Sequence, residues 1–156
     1  MILEDIRTLP IHMADRASLM ALDLGKKTIG MAISDDERRV ATSLDTILRT
    51  KFSKDADLLL TLAMEYSVGG FIIGLPVNMD GTEGPRCQSV RQFGTNFVQK
   101  TDLPIGYWDE RMSTQAVERH LIAQDVTRKR RARVIDKMAA QFILQGVLDF
   151  LQKLED

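Results

Sequence analysis

The chain has 156 residues, enough for one domain with a buried core, and its 44% hydrophobic and 28% charged content is that of a globular protein rather than a disordered one. Against 21 Lys+Arg stand 22 Asp+Glu, for a formal net charge of -1, so affinity for nucleic acid would need a local basic patch or bound cations. The single cysteine, Cys87, excludes an internal disulfide and a Cys-rich zinc site. No apolar run reaches the roughly 18 residues that span a bilayer, and Glu4 and Asp5 interrupt any basic-then-apolar leader, so a cytoplasmic protein with no membrane partner is expected.

Residues 1–18 show no sustained period and are expected to form an N-terminal extension ahead of a domain over 19–156. Leu19 to Leu24 is a short apolar run broken by Asp23. Thr28 to Ser34 follows after only Gly25-Lys26-Lys27, spacing that predicts an antiparallel hairpin. The polar turn Asp35 to Arg39 leads to a third strand, Val40 to Leu48. Ser53 is a plausible N-cap for a helix carrying Ala56, Leu59, Leu60, Ala63 and Met64 at helical spacing, and Gly69-Gly70 would end it. The continuous apolar run Phe71 to Leu75 has the signature of a strand covered on both faces. Pro76 to Pro85 reads as a loop, Arg86 to Gln99 as a helix and Pro104 to Trp108 as a strand. Ser113 would cap a further helix carrying Ala116, Val117, His120 and Leu121, and Arg131 to Leu154 reads as a long amphipathic helix. With right-handed crossovers this order predicts an α/β fold. Its mixed sheet has five strands, the first three antiparallel and the last two parallel to the first, with helices on both faces.

Three acids stand out. Asp23 interrupts a strand, where a carboxylate is costly unless a turn wets it, a partner pairs with it or a metal holds it. Asp109-Glu110 follows the strand ending at Trp108, and binding sites in open sheets collect at the carboxyl ends of parallel strands. In extended geometry successive side chains point to opposite faces, so at most one of the two faces the same way as a given neighbour; an acidic helix N-terminus is the alternative. Asp136 shares a helical face with Ala139, Ala140, Ile143, Val147 and Leu151, which puts it on the apolar stripe. Carboxylates that converge repel one another and call for cations. An all-oxygen set suits Mg²⁺ or Mn²⁺, and two such ions can clamp the attacking and leaving oxygens of a phosphodiester displacement.

Gly25 beside Lys26 could admit a phosphate to the backbone or simply close the hairpin. The loop ending at Pro85 feeds a helix N-terminus, a possible anion site and equally an ordinary turn. Arg128-Lys129-Arg130-Arg131, with Arg133 behind, is the densest positive run; it can attract phosphate or form a solvated helix entrance. His12 and His120 lack metal-ligand spacing.

Four motifs in order, Asp23-x-Gly25-x-x-x-Ile29-Gly30, Gly74-Leu75-Pro76-x-Asn78-x-Asp80-Gly81, Asp109-Glu110-Arg111-x-Ser113-Thr114-x-Ala116 and Asp136-x-x-Ala139-Ala140-x-x-Ile143-Leu144-Gln145, resemble the YqgF family, also called RuvX, described as Holliday junction resolvases. The resemblance spans about Leu19 to Leu151. It implies an RNase H-like fold and a cytoplasmic, metal-dependent endonuclease that processes the 5′ end of pre-16S rRNA in ribosome biogenesis or resolves Holliday junctions. It also implies Asp23, Glu110 and Asp136 as the catalytic and metal-binding acids, with a two-metal Mg²⁺ or Mn²⁺ site. Glu110 is preferred to Asp109 for its longer reach, although strand parity could reverse that choice. Lys26, Arg111, Arg128, Lys129, Arg130 and Arg131 would contact nucleic-acid phosphates, and ribosomal particles are conceivable partners. Junction resolution needs two active sites, hence a homodimer, whereas end trimming works as a monomer. Two rivals remain. One is a non-catalytic RNA-binding ribosome-maturation or transcription factor. The other is nucleotide binding of the actin-like kinase type, which needs duplicated domains that a 156-residue chain without repeats does not supply.

Overall fold

The computed structural model describes residues 1–113 and 128–155, with side chains over 1–113 and 138–155. Its centre is a six-stranded sheet in the order β1-β6-β5-β2-β3-β4. The strands are β1 (Ile2–Leu3), β2 (Ser18–Leu24), β3 (Thr28–Ser34), β4 (Ala41–Leu48), β5 (Val68–Leu75) and β6 (Ile105–Asp109). β2, β3 and β4 are successively antiparallel, and β5 and β6 run parallel to β2. This is the expected mixed sheet with one addition. Ile2 and Leu3 pair in parallel with Ile105 and Gly106 and make a sixth strand, so five strands is corrected to six. Two residues are too few to show a period of two. After them a 3-10 helix, Ile6–His12, lays Leu9, fully buried, into the core.

Helices cover both faces. α1 (Phe52–Glu65) and α2 (Pro85–Phe97) bury Ala56, Leu59, Cys87, Val90, Phe93 and Phe97 against Met20, Leu22, Ile73 and Leu75. The C-terminal helix, Arg128–Glu155, covers the other face with Ala140, Ile143, Val147 and Leu151, the stripe expected from the sequence, and with Leu144 and Leu148. Two glutamines one turn apart tie this helix to the sheet edge. Gln145 accepts from the Ala41 amide at 2.9 Å and donates to the Arg39 carbonyl at 2.9 Å, while Gln141 donates to the Ala41 carbonyl at 3.2 Å. Among the described residues no helix is long and apolar enough to cross a membrane.

Two local expectations change. The first helix starts at Phe52, and Ser53 lies inside it. Its entry is secured by Asp55, a buried first-turn acid that accepts from the Thr50 amide and hydroxyl at 3.1 and 2.9 Å. Gly69 and Gly70 do not end that helix. They lie in β5, and the reversal is made by Ser67 at φ 55. A Cβ at Gly69 would collide with the Ala17 Cβ, so glycine is required there by the close approach of that side chain.

Gly94 in α2 faces the Tyr107 phenol, and a Cβ there would overlap the hydroxyl and sit 3.0 Å from Cζ. Gly94→Ala is expected to push Tyr107 out of its seat under the Arg91 guanidinium, at a cost of about 1–3 kcal/mol. Urea unfolding checks this; a midpoint equal to that of the wild type would count against the packing described.

Candidate active site

Register brings the site together. Asp23 pairs with Gly30 across the hairpin, and Gly74 pairs with Trp108. Leu22, one residue before Asp23, pairs with Ile73, one residue before Gly74. Asp23, Gly30, Gly74 and Trp108 therefore form one row on the face covered by the C-terminal helix. Glycine at two of the four places leaves a hollow. A Cβ on Gly30 would lie 3.8 Å from both Asp23 Oδ2 and the Ala140 Cβ, and a Cβ on Gly74 would lie 2.6 Å from both Glu110 Oε1 and Ile143 Cδ1. Absent side chains on the sheet and a small one on the helix thus make room for two carboxylates.

The adjacent acids at the end of β6 have different partners. Asp109, last residue of the strand, is directed by parity away from the C-terminal helix. The backbone turns helical at residue 110, and Asp109 caps that turn by accepting from the Arg111 amide at 3.0 Å. It also holds the Arg111 guanidinium, with contacts of 2.7 to 3.1 Å, and this pairing keeps its carboxyl below the usual range. Glu110, one step on, reaches Asp23 and shares a hydrogen bond with it. Burial first, then the Asp23 charge and that hydrogen bond, raise Glu110 from 4.5 to about 7. Trp108 Nε1 donates to the Ser113 hydroxyl at 2.9 Å, stapling the strand end to the turn that carries Glu110, and Gly146 leaves space for both side chains. Ser113 thus lies in the helical turn that begins at residue 110 rather than at the N-cap expected from its sequence context.

The expected phosphate-contacting residues fall in different places. Lys26 is exposed in the hairpin loop and lines a cleft with Arg49 and Arg86. Gly25 closes that hairpin, its amide donating to the Thr28 carbonyl at 2.9 Å. Arg111 is held by Asp109 and donates to the Met79 carbonyl at 3.3 Å, so it fastens the 78–82 turn to the end of β6. The Asp136 side chain, those of Arg128, Lys129, Arg130 and Arg131, and the expected helical stripe over 116–121 lie outside the described residues. Among the described residues no three carboxylate, imidazole or thiol groups converge as a metal site. The described part of the acidic cluster is the Asp23–Glu110 pair. Its donor chemistry fits a hard divalent cation, since two half-buried carboxyls held side by side repel as they ionise and are relieved by positive charge.

Arg49 and Arg86 were not marked by their sequence neighbourhood, because neither lies in a basic run. For Gly30 and Gly74 a signal did exist: an isolated glycine inside an apolar strand marks close approach.

Gly74→Ala tests the hollow directly. The atoms its Cβ would meet are tips of flexible side chains, so the fold is expected to persist while Glu110 is displaced. A misplacement of this kind costs on the order of 10²-fold in cleavage rate. Retained activity with a normal melting curve would show that Glu110 need not lie over Gly74.

Residues 17–150 match the family model for RuvX, described as Holliday junction resolvase. A relative from Rhodopseudomonas palustris (strain BisB5), named as a candidate pre-16S rRNA nuclease, is 57% identical over 143 residues, covering 92% of this chain and 89% of its own. One of the same name from Paramagnetospirillum magneticum is 61% identical over 131 residues, covering 84% of each chain. Among solved structures, Thermus thermophilus RuvC in complex with a Holliday junction substrate superposes with a TM-score of 0.54 at 9% identity, covering 88% of this chain and 96% of that one, a likeness of fold. With the acid pair at the carboxyl ends of its central strands, and a family model matching nearly its whole length, the chain belongs to the RuvX family of nucleases.

Proposed function

We propose that the protein hydrolyses phosphodiester bonds in structured nucleic acid, with the 5′ end of pre-16S rRNA as its substrate, and that Asp23, Glu110 and Asp136 form its acidic centre. The observation that carries this reading is the hydrogen-bonded Asp23–Glu110 pair, built from two separate elements over a floor of glycines at the carboxyl ends of parallel strands. The names of the relatives favour RNA as substrate over a DNA junction.

The three acids would hold one or two Mg²⁺ or Mn²⁺ ions, which supply charge stabilisation at the attacking and leaving oxygens of the displacement. Hydrolysis adds water across a P–O bond: the water oxygen joins phosphorus, and the 3′ oxygen departs and takes up a proton. Asp23, fixed in register opposite Gly30, anchors the centre. Glu110, set by the capped turn at Asp109, orients the attacking water. Lys26 and the run Arg128 to Arg131 attract backbone phosphates, while Arg111 positions the turn over 78–82 beside the site.

The test is cleavage of a labelled pre-16S rRNA fragment and of a labelled four-way DNA junction in Mg²⁺, in Mn²⁺ and in chelator. The expected result is metal-dependent cutting of the RNA, abolished by chelator and restored by excess metal. Preferential cutting of the junction would reassign the substrate. Binding without cutting under every condition would replace hydrolysis with an RNA-binding role in ribosome maturation.

A further inference from the structure

Across the end of β2 from the acid pair lies a separate cleft of about 200 Å³ that the acidic centre does not use. Pockets for whole small-molecule ligands run to about 300–1,000 Å³, so this space suits a single group. Three cations line it: Lys26 from the β2–β3 loop, Arg49 from the segment after β4, and Arg86 from the first turn of α2. Among the described residues none of its walls is acidic, and neither Lys26 nor Arg86 forms an ion pair. Arg49 is fixed in place, with Nη1 donating to the Gly25 carbonyl at 2.7 Å and its guanidinium 5.9 Å from the Phe93 ring centroid. Ser89 adds a hydroxyl to the wall. Three cations gathered from three elements with no acid in the wall of the cleft repel one another, a cost that an anion removes.

We propose that the Lys26–Arg49–Arg86 cleft seats one non-scissile backbone phosphate of the nucleic-acid substrate and so sets where along the strand the acid pair acts. The inference rests on the nucleic-acid reading of the acidic centre. Its placement supports it. Leu24, which lines the cleft, directly follows Asp23 in β2, and by parity the two side chains face opposite sides of the sheet. The Arg86 charge is felt at Glu110. A strand lying across the carboxyl ends of β2 and β5 therefore meets the carboxylates on one side of the sheet and the cations on the other. A phosphodiester is the anion that such a strand presents at regular intervals, and cationic side chains recognise it without reading sequence.

The test compares the wild type with Lys26→Gln, Arg86→Gln and the double variant. Both side chains are exposed, so the fold should persist. Dissociation constants for the labelled rRNA fragment and the labelled junction are measured in chelator, where no cutting occurs, from low to physiological salt. Loss of one seated phosphate should make the log–log salt dependence shallower by about 0.7–0.9, and the two single changes should not add, because both act on the same phosphate. A scan with a single neutral methylphosphonate should find one position that weakens wild-type binding and does not weaken the double variant further. The inference is overturned if the variants bind as the wild type does, or if they bind more weakly with no position singled out, which would mean a diffuse field rather than a seat. A wild type that binds with the expected coupling but never cuts removes the hydrolase reading and leaves the seat standing. A wild type that cuts and is indifferent to these changes does the reverse, and one that binds neither probe overturns both.

Discussion

Asp23→Asn is expected to lower metal-supported cleavage by on the order of 10³-fold or more while leaving fold and substrate affinity close to those of the wild type. Cations held by Asp23 would supply several kcal/mol of charge stabilisation, and each 1.36 kcal/mol is a factor of ten in rate. Asn keeps the size of Asp and an oxygen able to accept from Glu110, so the hydrogen bond across the hollow survives. Its backbone stays in register with Gly30, and nothing in the β2 ladder is disturbed. What disappears is the negative charge that would hold the ions. The check pairs initial cleavage rates in saturating Mg²⁺ and Mn²⁺ with binding measured in chelator. A metal-replete Asp23→Asn protein that cuts at the wild-type rate would place the chemistry elsewhere. A variant that neither cuts nor binds would show that Asp23 acts in recognition as well.

Glu110→Gln is expected to inactivate the enzyme and at the same time to stabilise its metal-free form above neutral pH. In the folded chain Glu110 is raised from 4.5 to about 7, mainly by burial and then by Asp23. A carboxyl raised on folding supports the fold fully below its unfolded value, where it is protonated in both states. It loses that support as pH rises through its folded value, where the native state must ionise a buried group beside another anion. The rise corresponds to about 3 kcal/mol of stability lost between about pH 4.5 and pH values above 7. Glutamine carries no such penalty and can still donate to Asp23. Urea unfolding of metal-free wild type and variant should therefore differ by up to about 3 kcal/mol at pH 8, and the two should converge as pH falls toward 4.5. Mg²⁺ or Mn²⁺ at pH 8 should narrow the gap by stabilising the wild type. A difference independent of pH would mean that Glu110 is not strained by its surroundings.

These expectations join stability to function through one feature, two acids kept close by glycines in the strands beneath them. Proteins retain local destabilisation where a site needs it, and two carboxyls held side by side are of that kind. The surrounding polar contacts reduce the local cost: Asp109 caps the turn, Trp108 and Ser113 bond to each other, and Gln141 and Gln145 satisfy backbone groups at the start of β4.

Much of this was readable along the chain. Alternation and apolar runs marked β2 to β6, a 3.6-residue period marked the helices and the buried stripe from Ala140 to Leu151, and Asp23 declared itself as an acid inside an apolar strand. These are local signals, because a side chain's period depends only on its own element. Four things were decided by tertiary structure. Ile2 and Leu3 became a strand only because β6 offered an open edge. Gly69 and Gly70, a helix stop by local rules, lie in β5, where Ala17 leaves no room for a side chain at Gly69. Asp109 and Glu110 part company through strand parity and a cap rather than side-chain length: one acid closes a helix turn and the next reaches Asp23. The cleft of Lys26, Arg49 and Arg86 has no sequence motif, since its cations are neighbours only after β2, β4 and α2 have packed. Periodicity is a property of one segment and is carried by the sequence; convergence of charges is a property of register and packing, and only the folded chain has it.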